Sequence, residues 1–127
     1  MLQYSGIGDL IGNAVSSVNM PIVVVAFIVA ALVRICVGSA TVAMTMAAGI
    51  VAAMPAVQAL TPLYKACVVA AVAGGSTVCS HFNDSGFWLV KSLVGLDEPT
   101  TLKTWTIMET LVGVGGFVVA LIISLCF

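Results

Sequence analysis

Apolar residues run along this chain in long blocks, cut by short clusters of small and polar residues, and do not alternate with polar positions as half-buried strands would. Blocks of this kind predict helices. A bilayer-crossing helix needs about 20 mostly apolar residues, and residues 106–127 meet that with Glu109 as the only charge. Residues 20–34 open on Pro21, which suits a first helical turn, and close at Arg34, so they read as a second span. Residues 35–54 are uncharged but interrupted by Gly38, Ser39, Thr41, Thr45 and Gly49, which predicts a broken or re-entrant segment. Residues 66–79 are short for a crossing and contain Gly74 and Gly75, as expected of a helix that stops at membrane depth. The first stretch, 1–13, carries Gly6, Gly8, Gly12 and several polar residues, and reads as an interfacial piece and not as a signal peptide. The expected fold is therefore an all-α integral membrane protein, with several transmembrane helices of which one or two are broken or re-entrant.

Composition strengthens this reading: 61% of the residues are hydrophobic and 7% are charged, unlike an ordinary soluble domain. The net charge of −1 and four dispersed basic residues provide no footprint for nucleic acid. Cys36, Cys67, Cys79 and Cys126 lack the spacing of a metal or redox site and read as small apolar residues. Neither a nucleophile with its base nor a ligand set for a metal is evident, so an enzyme and a cofactor are not expected. The most soluble-looking stretch is 91–105, KSLVGLDEPTTLKTW, where Pro99 with Thr100 and Thr101 can start a short helix and Trp105 can anchor at headgroup level. Lys91 and Lys103 flank it, which favours the cytoplasmic side.

Candidate chemistry concentrates in SHFNDSGFW, 80–88, where His81, Asn83 and Asp84 stand almost side by side in apolar surroundings. Ionisable groups at membrane depth are costly and mark substrate, ion or proton paths. His81 and a desolvated Asp84 can each exchange a proton near neutral pH, and Asn83 offers both a donor and an acceptor. The same residues also spell a helix cap ahead of Phe87. Arg34 can fork onto a carboxylate or snorkel to the headgroups. Ser39, Thr41 and Thr45 can meet ligand hydroxyls or bond back to their own helix, and Glu109 reads as an interfacial acid near a helix start. GSATV at 38–42 is echoed by GGSTV at 74–78, a pattern that chance or an internal repeat can explain.

Three blocks, RICVGSATVAMTMAAG, SHFNDSGFWLVK and LKTWTIMET, resemble the C-terminal part of the gluconate permease family in order and spacing, with SGIGD at 5–9 ahead of them. The resemblance covers nearly the whole chain. It implies proton symport of gluconate or a similar small sugar acid across the bacterial inner membrane by a multi-pass protein. Other hydroxy acids or a small amino acid are alternative substrates. It further implies Ser39, Thr41, Thr45, Asn83 and Arg34 as substrate-binding residues, and Asp84 and His81 as proton-coupling ones. Family members are several times longer, so the chain is expected to be a fragment that needs a first half or self-association. A small channel, an assembly subunit or a non-transporting fragment are the other readings.

Overall fold

The computed structural model describes residues 20–126 and is helical throughout. Helix α1 spans Ile22–Val37, α2 Ala40–Ala52, the short α3 Pro55–Gln58, α4 Pro62–Thr77 and α5 Ser85–Val94. A further helix starts as α6 at Glu98–Thr101, passes through a π turn at Leu102–Thr106 and continues as α7, Ile107–Cys126. The interfacial reading of 1–13 and the SGIGD stretch lie outside the described residues.

Local chemistry accounts for most helix boundaries. Pro62 opens α4 with the Thr61 hydroxyl accepting from the Tyr64 N–H, and Pro55 opens α3. Gly38 ends α1 in the left-handed conformation, at φ 76°, with its N–H bonded to the Arg34 carbonyl at 2.8 Å. Ser39 then caps α2. Gly95 ends α5 in the same left-handed way, and an ion pair between Lys91 and Glu98 joins α5 to α6.

The four stretches expected to be spans differ in reach. Glu98–Cys126, at 29 residues, is the single helix among the described residues long and apolar enough to cross a membrane. At 1.5 Å per residue it is about 44 Å long, against a hydrocarbon core of about 30 Å. It also starts well before residue 106. Helices α1 and α4, with 16 residues each, reach about 24 Å, and α2, with 13, about 20 Å. They are shorter because Gly38 and Ser39 divide α1 from α2, while α4 ends at Thr77 where the backbone turns extended at Val78.

Packing is dominated by small residues. Ala26 and Ala30 of α1, Ala43 and Ala47 of α2, Ala71 of α4 and Ala120 of α7 are buried. Gly74 and Gly75, expected where the helix stops, lie just before the end of α4 at Thr77 and serve two neighbours. A Cβ on Gly75 would strike the Phe27 carbonyl of α1, and one on Gly74 would lie 2.6 Å from the Gly113 carbonyl of α7. Such close backbone approach is how helices associate where apolar burial gives little drive. Phe27 and Phe117 stack across the α1/α7 contact with ring centres 4.2 Å apart. Most of α7 is left exposed and apolar, including Leu111, Val112, Val119, Ile122 and Leu125.

The sequence echo is not a structural repeat. GSATV begins a helix, with Ser39 as its cap, whereas GGSTV ends one at Thr77.

Candidate functional site

Two interruptions in the helices meet at one place. The α1/α2 break at Gly38 and Ser39 lies against the loop 78–84 between α4 and α5, so closely that a Cβ on Gly38 would overlap the Asn83 backbone carbonyl. The Asn83 side-chain amide donates to the Cys36 carbonyl at 3.0 Å, satisfying one of the carbonyls that a helix end leaves open. Backbone contact and amide together clamp the loop to the end of α1.

At this crossing Arg34 is buried, with 2% of its surface exposed, and its Nη2 reaches Asp84 Oδ2 at 2.5 Å. Its Nη1 donates to the Gly38 carbonyl at 2.5 Å. Nε has no hydrogen-bond partner among the described residues. Of the two readings of Arg34, snorkelling to the headgroups does not fit this burial. Its carboxylate partner within the chain lies fifty residues away along the sequence.

Asp84 is fully engaged. Oδ2 accepts from Arg34 and from the Ser80 hydroxyl at 2.5 Å, while Oδ1 accepts from the Gly86 N–H at 3.0 Å and caps α5. The helix cap and the ion pair are the same carboxylate. Ser80 is itself completely buried and accepts from Trp105 Nε1 at 3.0 Å, and the Thr106 hydroxyl donates to the Ser80 carbonyl. One turn on, the Thr110 hydroxyl accepts from the Cys79 N–H at 3.1 Å. Cys79 has φ 56°, a left-handed conformation unusual for a residue with a side chain. These contacts are what hold the loop in that turn.

Ser80, Trp105, Thr106 and Thr110 were not singled out by sequence reasoning as site residues. Trp105 is half-buried, and its indole N–H points into the network, not toward headgroups. The π turn carries the adjacent residues Trp105 and Thr106, both of which bond to Ser80. Trp105→Phe removes one neutral hydrogen bond and is expected to lower stability by about 1 kcal/mol, read as a lower thermal midpoint of the detergent-solubilised protein. An unchanged midpoint would show that the indole N–H holds nothing.

The other sequence candidates are placed less centrally. His81 does not bond to Asp84: its Nδ1 lies 2.9 Å from the Cys79 carbonyl, which can only accept, so Nδ1 is the donor in that contact. The Ser39 hydroxyl is taken by the cap, accepting from the Val42 N–H at 3.4 Å. Thr41 is exposed in the first turn of α2, and Thr45, one turn further, donates back to the carbonyls of Thr41 and Val42. Thr45 also lines a groove of about 500 Å³ with Met44, Val51, Lys65 and Val72. That groove is apolar almost throughout, the wrong chemistry for a polyhydroxy acid. Glu109 is half-buried in the first turn of α7, within electrostatic reach of Arg34 and Asp84.

Residues 1–126 match the family described as GntP family permease. The chain belongs to that family. Its relatives include a low-affinity gluconate transporter of Escherichia coli K12, 46% identical over an alignment of 126 positions that covers 96% of this chain and 27% of the relative. The Gnt-II system L-idonate transporter of the same organism is 40% identical over 98% of the chain and 28% of its own length. A third K12 protein, the inner membrane permease YgbN, is 37% identical over 94% of the chain and 26% of its own length. No solved structure matches. The GntP chain thus spans about a quarter of the length of the curated relatives it matches, in a family of membrane transporters and not of enzymes.

Proposed function

We propose that this chain is the part of a proton-coupled GntP permease that binds the carboxylate of gluconate or a similar sugar acid, in the inner membrane of a bacterium. The observation that carries the reading is the buried Arg34–Asp84 pair at the crossing of two helix breaks. A paired charge at such a place fits a substrate or proton path better than a structural role, because ion pairs add little stability over apolar packing. In this reading Arg34 meets the carboxylate and Asp84 exchanges the proton. His81 stands next to it as a second proton site. Thr41 at the start of α2, the Ser39 O–H donor left over from the cap, the acceptor side of the Thr45 hydroxyl and the Asn83 Oδ1 not used in the clamp supply polar groups for the hydroxyls. The names of two relatives, one for gluconate and one for L-idonate, support a carboxylate bearing several hydroxyls. With about a quarter of a relative's length, the chain works with the remaining portion of a permease or with further copies of itself.

Uptake of labelled gluconate into membrane vesicles tests this. Proton-driven uptake is expected when the chain is supplied with the N-terminal portion of a permease, and little when it is present alone. Robust proton-driven uptake by the 127-residue chain alone would overturn the need for the remaining portion. Leak independent of a proton gradient would replace the symporter by a channel. No uptake in any combination would leave a fragment that does not transport.

The substrate-facing residues are tested separately by single cysteines at positions 39, 41 and 45 of the assembled permease. Each is expected to react with a water-soluble thiol reagent and to be protected by gluconate, by several-fold in rate. Equal labelling with and without gluconate would remove the start of α2 from the site.

A further inference from the structure

The three nitrogens of the Arg34 guanidinium have three different fates. Nη1 is spent on the Gly38 carbonyl, Nη2 holds one oxygen of Asp84, and Nε holds nothing among the described residues. A carboxylate that forks onto arginine from the side uses the edge formed by Nε and Nη2. Asp84 does not do this. Its second oxygen is turned away to the Gly86 N–H, so half of the best carboxylate-binding edge of a buried guanidinium stays unused among the described residues. A buried donor without a partner calls for an explanation, and a ligand that arrives in another state is one.

Asp84 has the complementary problem. Its oxygens already accept three hydrogen bonds, two of them on Oδ2. A proton added to Oδ2 has to displace one of those donors. Ser80 can turn and accept, because a hydroxyl does both; Arg34 cannot, because it has no acceptor. Protonation of Asp84 is thus accommodated by Ser80 turning to accept, and it removes the negative charge that holds Arg34, which weakens the pair; release of Arg34 in turn leaves a carboxylate that is costly to bury unless it is protonated.

We infer that the substrate carboxylate and Asp84 compete for Arg34, so that binding one sugar-acid anion and taking up one proton on Asp84 are a single exchange. The inference rests on the sugar-acid reading above and adds to it how the proton is coupled. Its balance closes: Arg34 and ionised Asp84 together carry no net charge, and Arg34, the bound anion and protonated Asp84 carry none either. No bond other than Oδ2–H is made. Other charged and titratable groups near the pair are His81, whose Nδ1 faces the Cys79 carbonyl, and Glu109 on α7. Neither is bonded to Arg34 or Asp84, so neither exchanges directly with the ligand for the guanidinium.

Proton uptake on adding gluconate to the assembled, purified permease in weakly buffered detergent solution tests the exchange, with gluconate binding followed in parallel. The unmodified protein is expected to take up about one proton per gluconate bound. Binding without proton uptake would overturn the exchange while leaving the sugar-acid reading intact; no gluconate binding would overturn that reading itself. Asp84→Asn, which keeps the cap and removes the competing charge, is expected to bind gluconate at least as tightly, to take up no proton, and to exchange labelled gluconate without accumulating it. Full proton uptake in Asp84→Asn would assign the proton to His81 or Glu109 and overturn the inference. Arg34→Lys, a point charge without the two-donor edge, is expected to weaken binding by at least about tenfold, and unchanged binding would remove Arg34 from the site. Should Asp84→Asn fail to fold, the proton count on the unmodified protein still decides.

Discussion

Arg34→Met is expected to destabilise the assembled permease by about 3–5 kcal/mol, because it strands the Asp84 carboxylate in a buried place with Ser80 and the Gly86 N–H as its only donors among the described residues. The double variant Arg34→Met with Asp84→Asn is expected to recover most of that loss. Asn retains the α5 cap and carries no charge, and methionine fills much of the volume of the arginine stem. Thermal or denaturant unfolding of the two single variants and the double variant gives the coupling directly. Two losses that simply add would show that the pair does not act as a unit. The recovered double variant is expected to remain inactive in gluconate uptake, which separates what the pair does for stability from what it does for transport.

A second large effect is expected at Gly38. Its φ of 76° is unfavourable for any residue with a Cβ, by about 1–2 kcal/mol. A Cβ there would also run into the backbone carbonyl of Asn83. Backbone cannot rotate out of the way as a side chain can, so the loop that holds Asp84 has to shift. Gly38→Ala is expected to cost about 3 kcal/mol or more and to weaken uptake along with stability. Gly95 provides the control, since it has φ 74° with nothing near its missing Cβ. Gly95→Ala should show the strain alone, about 1–2 kcal/mol. Equal losses at the two glycines, measured by unfolding, would mean that the Gly38–Asn83 contact has no role in positioning the loop.

The helical class and the division near Gly38 were legible because they rest on local features: long apolar blocks, and a Gly-Ser pair that ends one helix and caps the next. Local reading also singled out Asp84 as a cap. It failed wherever the deciding partner is remote. Arg34 reads as a snorkelling cation when only its own helix is considered, and nothing near residue 34 reveals a carboxylate fifty positions on. Charge counting offered a hint, since Arg34, Asp84 and Glu109 are the charges set in apolar surroundings, and few pairings among them are possible. Gly74 and Gly75 read as the approach of a helix end, and α4 does stop at Thr77, but their second task, baring the surface to two neighbouring helices, depends on remote residues. Trp105 reads as an interface anchor by type, and its hydrogen bond to Ser80 depends on the π turn, for which its sequence shows no signal.

The fifty-residue separation of Arg34 and Asp84 also bears on how the protein is made. At about 5–20 residues per second, roughly 3–10 s of synthesis pass between the two. During that interval α1 exists with a cation at its last turn and no acid to meet it, and placing such a charge at membrane depth costs about 2.5–3.5 kcal/mol on insertion scales. On that cost the Arg34 end of α1 is expected to stay near the membrane surface until the loop after α4 emerges. Arrival of Asp84 allows the guanidinium to be drawn in. The order of synthesis is thereby converted into an order of assembly, and a nascent chain interrupted before residue 84 carries an exposed cation by which it differs from a finished one.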